Sequence, residues 1–288
     1  MELNSDVPTT LPRDAATVVM LRDTPAGMEV FLIKRHGLSD VLGGAYVFPG
    51  GKLDASDSEL DTQAHLDQEP SELHTALGEP DAAVSLATGL YVAALREAFE
   101  ESGVLFAHSS DATPAAFTPP PGATFNQMLA DLGLRLQTSA VQPWSRWITP
   151  RMPSVSSKRF DTRFFVAAMP TGQEARHDNH EATESVWLTP RAALEQYWNG
   201  LLALAPPQIM SLAHLARHSA VQAVMDAARG HPPPLVFPEA FDEAGVRVLC
   251  YPGDPQHSVQ ARALPGPTRL LFRNGRFEPV DGFDALFA

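Results

Sequence analysis

"ALREAFEESGV", residues 94 to 104, crowds three glutamates and an arginine into six positions of a predicted helix. At about 100° per residue, Val92, Leu95 and Phe99 share one face of that helix, while Glu97, Glu100 and Glu101 gather on the opposite one. The helical pattern runs from about Asp81 to Ser102 and stops at Gly103, a residue suited to a C-terminal cap. Neighbouring carboxylates repel one another, raise each other's pKa and weaken the helix unless something positive sits among them. Oxygen ligands at this spacing suit a hard cation, Mg²⁺ or Mn²⁺, and Arg96 stands four residues before Glu100, where it can bond and orient that carboxylate. Taken as a fragment, the stretch is equally readable as a solvated helix face laced with ion pairs.

Upstream, "ATVVMLRD" (16 to 23) and "MEVFLIKRH" (28 to 36) are β-branched, apolar runs separated by the turn signal "TPAG", which predicts a hairpin. A short strand follows in "GGAYVFPGGKLD" (43 to 54), with Gly50 and Gly51 permitting close backbone approaches. Residues 55 to about 80 are polar and acidic and read as a surface insertion with no chemistry of its own. Downstream, "ATPAAFTPPPGAT" (112 to 124) is a loop, 125 to 137 a helix, and "VQPWSRWITP" and "RFDTRFFVAAMP" are strands. A polar loop leads to the strand "SVWLTP", then to a helix over "PRAALEQYWNG" and a further helix over 205 to 230, each with proline near its start. The tail carries "GVRVLCYPGD" and "TRLLFRNGRFEPV", the latter a hairpin turned at Asn274-Gly275. This mixture predicts an α/β (α+β) fold in which helices flank a mixed sheet, as one domain over 1–288: core about 14–228, insertion about 55–80, and a β-rich extension about 229–288.

At 288 residues and 44% hydrophobic content, the chain has ample material for a packed core. Its formal net charge of -13 argues against nucleic acid or an anionic membrane as partner, so an anionic substrate needs a local positive site or bound cations. The single cysteine, Cys250, excludes an intrachain disulfide and reads as a small strand residue. The polar start "MELNSDVPTTLPRD" lacks a signal-peptide layout, no apolar run approaches a membrane span, and "FDALFA" is no receptor-read address. A cytoplasmic location is the resulting expectation.

"FPGGKLD" and "REAFEESGV" together resemble the two halves of the Nudix box, G-x5-E-x7-R-E-U-x-E-E-x-G-U, where U is a bulky apolar residue. Gly51 takes the first glycine, and Arg96, Glu97, Glu100, Glu101, Gly103 and Val104 follow the second half. Two departures stand out. Ala98 occupies the first U position, with Phe99 in the variable slot. Between Gly51 and Arg96 lie 44 residues where the usual box has 13, an excess of 31; counted back from Arg96, the middle glutamate falls on Thr88 and is absent. A box interrupted in this way, with "RWITP", "KRFDTRFFVA", "ESVWLTPRAAL", "LAPPQ" and "YPGDP" downstream, resembles the coenzyme A diphosphatases of the peroxisomal mammalian type and their bacterial relatives.

The resemblance implies metal-dependent hydrolysis of a nucleoside diphosphate linked to another group, with coenzyme A or acyl-coenzyme A as substrate. The small-molecule alternatives are ADP-ribose, NADH or a nucleotide sugar; a non-catalytic ligand sensor is the alternative of another kind. It further implies that the Gly50 carbonyl and the carboxylates of Glu97, Glu100 and Glu101 hold Mg²⁺ or Mn²⁺, that Arg96 braces them, and that relatives pair as homodimers. Glu97 is one candidate general base and a distant loop the other source; Glu181 or Glu184, in "ARHDNHEATE", is the candidate outlying ligand. Lys34, Arg35, Lys52, Arg159 and Arg163, with the Gly51 turn, are the candidate phosphate-binding groups, although each cation is equally readable as surface charge. Alternation sends Phe160, Thr162 and Phe164 to one face of their strand and Asp161, Arg163 and Phe165 to the other. His214 and His218 read as helix-surface histidines, and Trp144, Trp147 and Trp187 as core. His177, Asp178 and His180 match no known ligand frame.

Overall fold

The computed structural model describes residues 11–37, 42–109, 122–152, 158–178 and 181–288. The proline-rich loop at 112–124 and His180 therefore fall wholly or mostly outside the described residues. The predicted hairpin forms from β1 (Arg13–Thr24) and β2 (Gly27–Arg35), closed at Thr24 and Gly27. β1 is twelve residues long and buried on both faces. Its even positions Ala16, Val18 and Met20 pack toward one layer, and its odd positions Val19 and Leu21 toward the other.

β3 (Tyr46–Val47) extends the sheet beyond β2, and β4 (Gly50–Lys52) lies antiparallel to the start of β1, with Ala15 beside Lys52 and Thr17 beside Gly50. The insertion then folds as a 3-10 turn (Ala55–Ser58), α1 (Thr62–His65) and α2 (Pro70–Leu77), whose Leu66, Leu73 and Leu77 are buried in the core. α3 (Val84–Ser102) starts three residues later than predicted and ends at Gly103 in the left-handed conformation. It is buried almost all round, so the fragment reading of a solvated face does not hold. Gly89 is required in this helix interior, since a Cβ there would sit 2.3 Å from Ser58 Oγ. Its absence lets the 55–58 turn lie against α3.

β5 (Ala107–His108) follows, then α4 (Phe125–Asp131), which is shorter than predicted. The chain turns at Gly133, φ 57°, so that Leu136 in β6 (Arg135–Leu136) can pair with Ala107. β7 (Val141–Ile148) and β8 (Phe160–Ala168) are antiparallel to each other, and β8 runs parallel to β1 with Ala15 beside Thr162. β9 (Ala182–Leu188) pairs with β2. α5 (Pro190–Trp198) comes next. The single helix predicted over 205 to 230 is two, α6 (Pro206–Leu215) and α7 (Val221–Gly230). The break has a tertiary cause: Ala220 is extended, and the Val221 N–H donates to the Asp23 carboxylate of β1 at 3.0 Å, a cap supplied by a strand distant in sequence.

β10 (Leu235–Val236) adds parallel to β7, completing an eight-stranded mixed sheet with the path β10-β7-β8-β1-β2-β3. α3 and the insertion cover one face, α5 to α7 the other. The extension forms a second, four-stranded antiparallel sheet of β11 (Glu239–Glu243), β12 (Val246–Cys250), β13 (Arg269–Arg273) and β14 (Arg276–Pro279). Its Leu249, Tyr251, Leu270 and Phe277 join the core beneath α5 to α7. The Tyr197 hydroxyl on α5 donates to the Phe277 carbonyl at 2.8 Å and accepts from the Phe277 N–H at 2.9 Å. Cys250 is a buried strand residue, as expected. His214 is half-buried rather than a surface residue, its ring 4.5 Å from that of Trp144.

One buried ion-pair knot ties the insertion to the sheet. Glu79, just past α2, accepts from Arg163 Nε and Nη2 at 2.9 and 2.7 Å and pairs with Arg146 Nη1 at 2.9 Å. Arg163 also bonds Asp14 and the Asp161 carbonyl. Removing Glu79 takes three charge-assisted contacts from the two arginines, which keep Asp14 and Asp161 as partners. Glu79→Ala is accordingly expected to lower unfolding stability by about 2 kcal/mol in denaturant titrations.

Candidate active site

The 55–58 turn pressed onto α3 brings Asp57 over Arg96. Arg96 Nε and Nη2 donate to the two oxygens of Asp57 at 2.8 and 3.0 Å, and Nη2 also donates to the Lys52 carbonyl at 3.1 Å. Nη1 donates to Glu97 Oε1 at 2.9 Å and to Glu100 Oε2 at 2.8 Å. All five N–H groups of the guanidinium are thus used, in a site where Arg96 and Asp57 are both buried. Burial disfavours the charge on Arg96, but Asp57, Glu97 and Glu100 outweigh it and raise its pKa.

Asp57 also corrects the reading that the box has lost its middle acid. Counted forward from Gly51 instead of back from Arg96, the G-x5-E position is residue 57. The excess residues lie after that position, and the fold returns Asp57 to the arginine. The insertion region, read as free of chemistry, supplies both Asp57 and Glu79.

Glu97 and Glu101 are held where carboxylates are costly. Burial first, with repulsion from Glu100 and Glu181, pushes Glu97 up to about 7 against the opposing pull of Arg96. Burial and then repulsion from Glu97 push Glu101 up to about 8, against the Gly50 N–H, which donates to Glu101 Oε2 at 2.8 Å, and Arg35. Glu101 Oε1 is buried with no hydrogen-bond partner, and the nearest charge, Arg35 Nη1, is 4.0 Å away. Glycine at 51 lets the Glu97 carboxylate sit where it does, because a Cβ there would lie 2.1 Å from Glu97 Oε1 and push that side chain away.

Among the described residues no three acidic, histidine or cysteine side chains already converge into a metal cage. The reason is visible in the contacts. Glu100 is drawn to Arg96, and Arg35 stands between Glu101 and Glu181, 3.7 Å from the latter. The donor set nevertheless fits a hard divalent cation: every donor is oxygen, two carboxylates are charged only at a cost, and one carboxylate oxygen is unpaired.

A cleft of about 600 Å³ opens beside these groups. Arg13, Arg35, Lys52, Lys158, Gly50, Gly51, Glu97 and Glu181 line it, as do Phe160, Thr162 and Phe164, the strand face expected from alternation. Of the two candidate outlying carboxylates, Glu181 is on the cleft. Glu184 faces Lys34 across the β2–β9 pairing, 3.4 Å away, and neither of these two lines the cleft. Arg163 is corrected to a structural role in the Glu79 knot. Arg159 donates to the Thr149 carbonyl at 3.0 Å and is not among the lining residues. Arg13 and Lys158 are cleft cations that sequence reasoning missed, and no local pattern marks them. Trp147 is buried, as expected, and also forms part of the cleft wall.

The family model described as the NUDT19 Nudix domain matches residues 12–215. The chain is 29% identical over 236 residues to an acyl-coenzyme A diphosphatase NUDT19 of Xenopus laevis, covering 67% of this chain and 61% of that one. It is 27% identical over 240 residues to the Homo sapiens protein of the same name, covering 69% and 64%. Both matches thus span less than two thirds of the relative's own length. A crystal structure of a NUDIX hydrolase from Alicyclobacillus acidocaldarius is similar at 26% identity and a TM-score of 0.60, covering 78% of this chain and 98% of that one.

The raised carboxylates set the behaviour of the metal-free chain. Between about 4.5, the unfolded value, and 7 to 8, the folded state holds protons that the unfolded state has lost. In chelator, stability should therefore fall as pH rises through that window, by about 2 kcal/mol or more. Glu97→Gln with Glu101→Gln should flatten the slope and raise the metal-free melting temperature. Millimolar Mg²⁺ should raise the melting temperature of the unsubstituted chain and leave the double variant unmoved. Calorimetric scans with and without chelator read all three. Gly51→Ala, which forces Glu97 aside, should cost at least about a hundredfold in turnover with a much smaller loss of stability.

Proposed function

We propose that this chain, which belongs to the NUDT19 Nudix domain family, hydrolyses the diphosphate bond of coenzyme A or an acyl-coenzyme A to 3',5'-ADP and the matching 4'-phosphopantetheine. The carrying observation is the pairing of Arg96 with Asp57 of the insertion, which holds Glu97 under the glycine turn on a cleft lined by Arg13, Lys52 and Lys158, while the Gly50 N–H holds Glu101 behind it. An acidic protein thereby presents a local positive rim to a polyanion.

Glu97, Glu101 and the Gly50 carbonyl are the ligands proposed for Mg²⁺ or Mn²⁺, with Glu100 available on release from Arg96. When bound there, a divalent cation would supply charge neutralisation for the diphosphate and would acidify water. Arg96 holds Glu97 in register through its bond to Oε1, with the guanidinium itself fixed by Asp57. Water adds to one phosphorus as the bond from that phosphorus to the bridging oxygen breaks, and the water's proton needs an acceptor. As proposed metal ligands, Glu97 and Glu101 would be unavailable as proton acceptors, so the acceptor is proposed outside that pair. Glu181, exposed and on the cleft wall, is the base the geometry favours over Glu97.

Sedimentation reads whether the expected homodimer forms. No helix among the described residues is long and apolar enough to cross a membrane, and a cytoplasmic location completes the proposal.

Incubation with Mg²⁺ or Mn²⁺ and a panel of coenzyme A, acyl-coenzyme A, ADP-ribose, NADH and a nucleotide sugar tests the reading by product mass. Cleavage of another diphosphate with coenzyme A left intact would move the substrate; turnover of none would favour the sensor alternative. Asp57→Ala should lower kcat by at least about tenfold and cost about 3 kcal/mol of stability, through the charge stranded on Arg96. Glu181→Gln should lower kcat and leave KM close to its original value.

A further inference from the structure

The cleft extends well past the glutamates, and its far end is built by residues beyond the region matched by the family model. Paired residues mark its course across the sheet: Lys52 on β4, Ala15 on β1, Thr162 on β8, Trp147 on β7 and Val236 on β10 stand side by side. Strands are about 4.8 Å apart, so β4 to β7 spans about 14 Å and β4 to β10 about 19 Å. Past that row the wall consists of Pro238, at the entry to β11, and Leu249, on β12, facing Trp147, Ile148, Pro206 and Pro207 around the same cleft. The four lining cations, Arg13, Arg35, Lys52 and Lys158, come from β1, β2, β4 and the entry to β8. None comes from the stretch between 205 and 249. Pro238 and Leu249, the lining residues beyond Trp147, are apolar, whereas the lining cations all stand on the strands of the main sheet or at their entries.

The substrate proposed above has the same asymmetry. Its nucleotide half carries the phosphates. The other half is an arm of about twelve bonds from the diphosphate to sulfur, which at about 3.5 Å per three bonds is about 14 Å when extended. With the diphosphate beside Glu97 and Gly51, the sulfur reaches β7, and an acyl group on it meets Pro238 and Leu249. Gln208, which also lines the cleft, is buried with Oε1 lacking a hydrogen-bond partner, and the arm carries two amide N–H donors.

We propose that the C-terminal extension closes the thioester end of the substrate cleft, and that Leu249 and Pro238 determine which acyl groups are accepted. This rests on the coenzyme A reading. An apolar wall discriminates by size, with each methylene worth about tenfold or more in kcat/KM where the fit is tight. The extension is thus a specificity element, added to a site whose bond-breaking groups all lie before it in the chain.

The test is kcat/KM for free coenzyme A and its acetyl, octanoyl and palmitoyl thioesters, in the unsubstituted chain and in Leu249→Ala. The ratio of octanoyl or palmitoyl thioester to free coenzyme A should rise by about fivefold or more in Leu249→Ala, with kcat on free coenzyme A held within about twofold. Should the truncated core fail to fold, Leu249→Val removes one methylene and should shift the ratio in the same direction by a smaller factor; circular dichroism certifies either protein. An unchanged ratio in a folded variant overturns the inference. So does a shift in the discrimination of coenzyme A from its form lacking the 3'-phosphate, because the nucleotide would then occupy that end. An unsubstituted chain that cleaves none of the coenzyme A species overturns the functional reading and this inference with it, whereas the first two failures leave the functional reading standing.

Discussion

A single buried guanidinium organises the half of this protein that carries the clustered glutamates. Arg96 joins the insertion through Asp57, the glycine turn through the Lys52 carbonyl, and the glutamate helix through Glu97 and Glu100. A buried charge is tolerable only when its hydrogen bonds are complete, and here each donor has an acceptor. The consequence is rigidity. Moving any one of the three segments strands part of the arginine, so the carboxylates on α3 stay in register with Gly51 although 44 residues separate the two halves of the box.

The remaining carboxylates are arranged against their own electrostatic preference. Glu97 and Glu101 are buried near each other, with Arg35 too distant for a full ion pair and Glu101 Oε1 unpaired. Such an arrangement lowers the stability of the metal-free chain and suits a site that gains a cation. The second knot, around Glu79 and Arg163, has the opposite character. Arg146, Arg163, Asp14 and Asp161 are mutually compensated there, which fits a role in holding the insertion on the sheet rather than in receiving an anion.

Much of this was legible from residues alone because it is local. The hairpin of β1 and β2, the cap at Gly103, the turn at Asn274-Gly275 and the alternation along β8 follow from backbone preferences and side-chain periodicity within a few positions. The misreadings concern long-range partners. The helix over 205 to 230 is interrupted where Asp23, 198 residues away in the chain, caps Val221. α4 stops early because Leu136 pairs with Ala107. Arg163 looked available for phosphate because Glu79 is 84 residues away in the chain.

By itself the sequence determined the chemistry on offer: an arginine, three glutamates and a glycine pair at spacings that place oxygen donors together, in a chain too acidic to receive a polyanion without local cations. Only the tertiary structure decided which groups face one another. It returned Asp57 to Arg96, turned Glu181 toward the cleft and Glu184 away, and brought Leu249 to the far end of the same cavity. The physical reason is that helix and strand periodicity act over a few residues. The pairing of a buried charge, or the closing of an apolar wall, depends on which distant segments packing brings into contact.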